Sequence, residues 1–561
     1  MTNQTLHRNE HADGALGSLL HVLITAWPLL LCLFLVSIPF YQHSKGKVVP
    51  SSIPRVAWKN ELFSVIRASF RDAKNGFELA EEGYRKVNSV LFAARYEVLI
   101  VAKYNKHGLA FACVSMYLQP TVTLPPSELQ WLVDQPDDHV AQPLVLSHIR
   151  LKGYYLPGLP YNELFYAPFV GIDVKKFINA QATSVWQRVA ATVDETCSSD
   201  GWKTVDVSEL AKTVALRIIV RAFVGEKLSN DSTFVADIRS FSNWFNGTII
   251  PLFLLVPDFL KPIAGPVFAR PARYYLKRLD RKLMPIIKQL LEAKERGELK
   301  EDDTGDLLRC HISSGRQKPE DTNARCIASR LLILMGAAAF DTFSTGLHHA
   351  LMDLASGPVI QNGGTDETLR TTEHHNVIRA EVQCAVDRNG GLWTPKSMHE
   401  LIYTESFLRE VMRRRTFLAR QVYRVVVKDG GLTLPEQSCS GAIVPKGTWL
   451  AVSAAPVHLD NDVWEDAREF KAWRFVDNTV TPPAIKPQGA VAAVTDSFLS
   501  FGKGRHACPG RFFAGDMMKL AIAYIAMEYD IKPLDGRPQD KTIGDTLIPA
   551  QAKIEIRRRN R

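Results

Sequence analysis

The chain has 561 residues, 46% hydrophobic and 23% charged, with a formal net charge of +9. That is enough apolar residue to bury a large core, and too much for a disordered chain. The basic excess is modest and no basic run carries interleaved aromatics, so nucleic acid is set aside as a partner. Cysteines fall at 32, 113, 197, 310, 326, 384, 439 and 508, with no C-x-x-C pair. Neither a zinc site nor a disulfide framework is indicated, and a reducing compartment fits.

In chain order, residues 1–15 read as a short lumenal N-terminus. Gly14 to Ser44 contains no Asp, Glu, Lys or Arg. The apolar stretch 16–41 is long enough to cross a bilayer core, which takes about 20 residues. Pro28 is compatible with a spanning helix, and no small-x-small cleavage site follows. Lys45, Lys47 and Arg55 follow the span while Arg8 precedes it, which places the body in the cytoplasm by the positive-inside rule. Residues 42–60, with Pro50 and Pro54, read as a stiff linker, and 61–561 as the folded domain. Asn230 and Asn246 open glycosylation sequons that fall on the cytosolic side and are read as unused.

Within that domain, EVLIVAK (97–103) and LAFACVSMYL (109–118) read as short strands. The segments 207–225 and 278–299 carry apolar residues at helical spacing. TIIPLFLLVPDFLKPIAGPVF (248–268) is unusually apolar, and either dips into a membrane or is buried as a core loop. RLLILMGAAAFDTFSTGLHHALMDL (330–354) reads as one long apolar helix. In it Ala338 and Ala339 leave room for a flat ligand and dioxygen, and Asp341 beside Thr342 can relay protons. The polar, Gly-rich stretch over 356–376 reads as a surface insertion. The pairs His348-His349 and His374-His375 point to different helix faces and are not taken as metal sites. In ESFLREVMRRR (405–415), Glu410 and Arg413 share a helix face, and Glu405 with Arg409 reads as a surface pair. VYRVVV, opening near Arg424, reads as a strand. AIVPKGTWLAVS reads as a hairpin turning at Pro445-Lys446-Gly447. The whole is mainly α with small β-sheets.

The most specific signal is Phe501-Gly502-Lys503-Gly504-Arg505-His506-Ala507-Cys508-Pro509-Gly510. A soft thiolate suits iron, and one Cys thiolate on haem iron favours O–O cleavage. Gly504 and Gly510 are expected to let the backbone turn tightly and approach a flat macrocycle. Pro509 suits a first helical turn, whose free amides would hold the Cys508 sulfur as an anion. Arg505 can pair with a haem propionate, and Phe501 can pack near the sulfur.

This decapeptide resembles the haem-binding loop of the cytochrome P450 monooxygenases, and the following GRFFAGDMMKLAIAYIAMEYDI resembles the long helix behind their haem. The resemblance extends over nearly all of the chain after the anchor. It implies the P450 fold preceded by one N-terminal transmembrane helix, with Cys508 as axial iron ligand. It implies a buried three-way ion pair of Glu410, Arg413 and Arg474, although Ala472 and Trp473 stand where the family usually has Pro and Glu. Asp341 and Thr342 match the oxygen-activating helix, with Ala339 replacing the usual second Gly. Arg424 matches an Arg that reaches a propionate, and His458 a His used in packing. The helix with the family's Trp/Arg propionate pair should fall near 170–195, but Trp186 and Arg188 have the wrong spacing. The anchor and LPPSELQWLVDQPDDHV (124–140) look like those of fungal microsomal members. The implied activity is oxidation of an apolar organic substrate, such as a terpenoid secondary metabolite, with O2. Electrons would come from NADPH through NADPH–cytochrome P450 reductase, with cytochrome b5 as a further donor, at the endoplasmic reticulum membrane. A reductase-independent isomerase or peroxygenase is the alternative, and a haem sensor or carrier a more distant one. The Asp341-Thr342 pair speaks against the isomerase or peroxygenase.

Overall fold

Long helices and small sheets follow from the periodicity of the sequence. The computed structural model describes residues 49–559 except 62, 86–107, 117–118, 143–153, 155–171, 200, 256–260, 301–304, 314–322, 361–370 and 392. The proposed anchor at 16–41 and the strand expected at 97–103 lie outside the described residues.

The main body packs the helices Ile172–Cys197, Val207–Ser229, Ser232–Leu255, Arg270–Glu295, Ala324–Ala355, Glu373–Arg388, Ile402–Arg414 and Arg511–Glu528 around one apolar core. Val207–Ser229 starts where the Asp206 carboxylate accepts the Glu209 N–H, a side-chain N-cap. Ala324–Ala355 is the one helix among the described residues long and apolar enough to cross a membrane, but it is largely buried. It is not uniformly α. Leu334–Ala339 is a π-helical segment between Ala324–Ile333 and Phe340–Ala355. The apolar pattern could not show this, because a π turn leaves the composition unchanged.

A second core lies under a five-stranded sheet. Its strand order is Phe111–Val114, Pro120–Leu124, Trp449–Ser453, Arg420–Val426 and Val140–Ala141. Trp449–Ser453 runs parallel to Pro120–Leu124 and antiparallel to Arg420–Val426. The hairpin expected at 442–453 does not form with itself. Ile443–Val444 pairs with Leu432–Thr433 instead, so the two arms of the 445–447 turn enter different sheets. Trp449–Ser453 gains two partner strands this way, Pro120–Leu124 and Arg420–Val426, and tertiary pairing overrides the local turn.

The insertion at 356–376 is only partly a surface feature. Val359–Ile360 is exposed, but its partner Thr371–Thr372 is buried. Thr372 caps the helix Glu373–Arg388 and donates its hydroxyl to the Leu354 carbonyl at 2.6 Å.

Three helices that carry the site meet at Gly346. A Cβ there would lie 3.1 Å from the Met518 sulfur and 3.9 Å from that of Met412. The absence of a side chain lets Phe340–Ala355 approach both Arg511–Glu528 and Ile402–Arg414.

Candidate active site

The loop 501–510 is closed by the Cys508 N–H donating to the Phe501 carbonyl at 2.8 Å. Gly504 has φ +72°, and a Cβ there would fall 2.8 Å from Val133. Its need for glycine therefore arises at the helix Leu129–Asp134. Gly510 has φ −82° and ψ 2° and caps the helix Arg511–Glu528, an ordinary conformation that does not require glycine. Pro509 precedes that cap and is not in the first helical turn.

Cys508 is accessible to solvent, yet protein packs densely enough around its sulfur to raise the thiol pKa. Both hold for a group that lines a hollow. The Gly510 and Arg511 backbone N–H groups and the Arg511 charge oppose the rise. The thiol is thus provided with donors for its anion, and a nearby cation would complete the stabilisation.

Arg505, expected to meet a propionate, also has partners on the neighbouring chain segment. Its guanidinium donates to Asp137 at 2.8 Å and to the Val133 carbonyl at 3.3 Å. The residue beside it was missed. His506 Nε2 lies 2.8 Å from the same Asp137 oxygen. A carboxylate only accepts, so Nε2 carries the proton, and Nδ1 holds the lone pair of the neutral ring. His506 Nδ1 and Arg424 Nη2 are both buried with no hydrogen-bond partner. Burial, followed by the Arg505 charge, pushes the Arg424 pKa down to about 10. Burial also lowers that of His506, with Arg424 adding to the effect. Arg424, Arg505 and His506 thus share one carboxylate, Asp137. An unpartnered buried guanidinium N–H on Arg424 and an excess of positive charge beside a lone thiol fit a haem with its two propionates.

Asp137 is 369 residues from His506 in sequence, so no local pattern could pair them. The stretch 124–140 was noticed only for its likeness to other chains. Here it forms the helix Leu129–Asp134 and then clasps the Cys508 loop, with Gln142 Nε2 donating to the His506 carbonyl at 3.1 Å.

The structure brings Glu410, Arg413 and Arg474 together. Arg413 donates Nε to Glu410 Oε2 and Nη2 to Oε1, each at 2.8 Å. Arg474 Nε lies 3.1 Å from Oε2, and the Lys471 N–H reaches Oε1 at 3.0 Å. Glu410 and Arg413 are fully buried. His458 packs on Phe498, accepts the Leu499 N–H at Nε2 at 2.9 Å and offers its own carbonyl to Arg413. The expected surface pair Glu405–Arg409 is a correction. Both are buried, and Glu405 instead binds Lys519 at 2.6 Å, while Arg409 stacks on Phe498 at 3.8 Å. Trp186 stacks on Trp393 at 4.1 Å, and Arg188 lies 3.8 Å from Glu226.

Asp341 and Thr342 follow the π segment that holds Ala338 and Ala339. The Asp341 carboxylate accepts from Ser242 Oγ at 3.2 Å and from Asn246 Nδ2. Burial raises its pKa; the Ser242 and Asn246 bonds partly offset this. Thr342 is exposed and its hydroxyl donates to the Ala339 carbonyl at 3.3 Å. Gly336 makes the approach of the two helices possible, since a Cβ there would meet the Phe241 ring at 2.5 Å. Asn246 had been noticed only as an unused sequon. No sequence signal marks it as a partner of Asp341.

Residues 167–556 match the family model described as Cytochrome P450. A cytochrome P450 monooxygenase, polB, of Polytolypa hystricis is 29% identical, over 94% of this chain and 96% of its own length. Another, lnaC, of Aspergillus flavus is 27% identical, over 93% and 94%. Cytochrome P450 monooxygenase 151 of Postia placenta is 30% identical, over 64% and 68%. The chain belongs to the cytochrome P450 family and is a haem-dependent monooxygenase.

Proposed function

We propose that the protein inserts one atom of dioxygen into an apolar organic substrate, a secondary metabolite of terpenoid type, using electrons from NADPH. They arrive through NADPH–cytochrome P450 reductase, with cytochrome b5 as a second donor. The observation that carries the reading is the Cys508 loop with a buried, unpartnered guanidinium donor beside it, Arg424 Nη2. Haem held by a cysteine thiolate supplies a centre at which dioxygen is reduced and its O–O bond broken. Cys508 would hold its iron through the thiolate, and Arg424 would donate to a propionate. Asp137 fixes the His506 ring, and Phe501, Gly504 and Gly510 shape the loop. Glu410, Arg413 and Arg474 hold the surrounding coil in one conformation. Ala338 and Ala339 leave space, and Asp341 with the Thr342 hydroxyl relays protons.

The stretch 16–41 anchors the chain once in the endoplasmic reticulum membrane, with 61–561 in the cytoplasm. Ile263 and Val267 are 72% and 55% exposed, which supports membrane contact by the segment 248–268 rather than burial as a core loop.

The test is reconstitution of the full chain in lipid with and without reductase and NADPH, beside Cys508→Ser. The parent should show the thiolate-type reduced, carbon monoxide-bound spectrum and turn over only with both additions. The variant should lose both properties. Turnover without reductase would favour the isomerase or peroxygenase reading. A thiolate spectrum in Cys508→Ser would remove the residue as ligand.

A further inference from the structure

The helix Ile402–Arg414 ends at a cavity of about 340 Å³, walled by Arg413, Arg414, Thr416, Leu459, Arg537 and Gln539 among others. The charges around it do not balance. Arg413 and Arg474 share Glu410. Arg415 lies 3.2 Å from Asp353, and Arg537 lies 2.6 Å from Asp353 and 2.8 Å from Asp540. Those three carboxylates are taken, and Asp540 also accepts the Ala550 N–H at 3.1 Å. Arg414 has no carboxylate partner among the described residues, and its Nε is buried without a hydrogen bond. Thr416, also on the cavity wall, is 2% exposed, and its hydroxyl likewise has no partner. Arg415 and the Asp540 carboxylate also line the cavity, Asp540 being held by Arg537, and Phe77, Ala455, Pro538 and Leu547 complete the wall.

A cation near the negative end of a helix is ordinarily favourable, which accounts for arginines here. It does not account for a closed-off Nε and a closed-off hydroxyl at a cavity wall, since such groups are nearly always satisfied. We propose that this cavity is a binding site for a tetrahedral oxyanion of the phosphate class, held by the Arg414 guanidinium and the Thr416 hydroxyl. A planar guanidinium fork matches two oxygens of such an ion, and a hydroxyl can donate to a third. The volume equals roughly eleven waters at the liquid value, enough for a phosphate and a small ester substituent. Because Arg413 lines the same cavity, occupancy would stabilise the folded chain by mass action. The phosphate could be a free ion or a lipid headgroup.

The test uses the full-length, haem-loaded protein in detergent micelles. Inorganic phosphate is titrated calorimetrically against chloride at matched ionic strength, and thermal unfolding is followed at each concentration. One saturable site per chain and a rising midpoint are expected for phosphate but not for chloride. Loss of a hydrogen bond to a charged group should weaken binding roughly tenfold or more in Arg414→Gln and severalfold in Thr416→Val. If Arg414→Gln does not fold, the near-isosteric Thr416→Val carries the comparison. Absence of saturable binding in the parent, or equal affinity in the folded variants, overturns the site. A short-chain phosphatidic acid that displaces phosphate identifies the headgroup as ligand. Its exclusion while phosphate binds identifies the free ion.

Discussion

Two inward-facing carboxylates in this molecule are treated in opposite ways. Glu410 receives two guanidinium groups and a backbone N–H, all within 3.2 Å. Asp341 receives a hydroxyl and an amide from a neighbouring helix, and its pKa is raised by burial. Guanidinium forks fix the orientation of a carboxylate through paired hydrogen bonds. Neutral donors leave the proton free to come and go. The difference is what the proposed roles require, a carboxylate that fixes structure and one that exchanges protons, and it lies in the partners rather than in the residue type.

The sharpest way to break this comparison is to remove one guanidinium. Arg413→Ala should lower stability by about 3–5 kcal/mol and sharply reduce haem-loaded yield, because Glu410 is left partly unpaired in the interior. Arg474→Ala should do the same to a lesser degree, since Arg474 is less buried than Arg413. Normal denaturant midpoints for both would show that the cluster contributes no such constraint.

On the other side, Thr342→Ala should leave folding intact and separate electron use from product. Loss of a positioned proton donor is commonly worth about 10²–10⁴-fold. The expected result is less product and more hydrogen peroxide for each equivalent of reductant consumed. Unchanged coupling would assign the proton to another group or to an ordered water.

Acid should reach the structural side by way of its histidines. Burial pushes His375 and His458 down to about 3, while the unfolded value is near 6.5. A depressed folded pKa gives stability that is present above pH about 6.5 and is lost as pH falls toward 3. At pH 5 each would contribute a loss of at most about 2 kcal/mol. Denaturant midpoints that stay level between pH 7.5 and 5 would contradict this.

The smallest effect is expected from Asn246→Ala. Its amide favours the Asp341 anion, so its removal should raise the Asp341 pKa and move the carboxyl limb of the pH–rate profile upward. Ser242 remains, so the rate itself should change only severalfold. A profile identical to the parent would mean that this contact is broken during turnover.

What could be read from the chain divides along similar lines. Cys508 and its loop were legible because ten consecutive residues carry the signal. Glu410 and Arg413 were legible because helical spacing puts them together, and Arg474 only through family resemblance. Asp137 and Asn246 were not, since each acts on a residue far along the chain, and one contact of this kind leaves no periodic trace. The Glu405–Arg409 pairing failed because spacing reports which residues share a face, not what covers that face. The same limit applies to the 442–453 hairpin, whose turn was placed correctly but whose strands found better partners.

The π segment at Leu334–Ala339 has a consequence for how this chain tolerates deletions. A π turn holds one residue more than the α turn it replaces, and each α residue advances the helix by about 100°. Loss of one residue within 334–339 could let the segment close into ordinary α-helix without breaking the element. Asp341 and Thr342 would then keep their neighbours in sequence but swing by about that angle relative to 324–333. Chains of this lineage that gain or lose a residue there would be expected to fold and load haem, yet to present a different wall to whatever lies beside the helix.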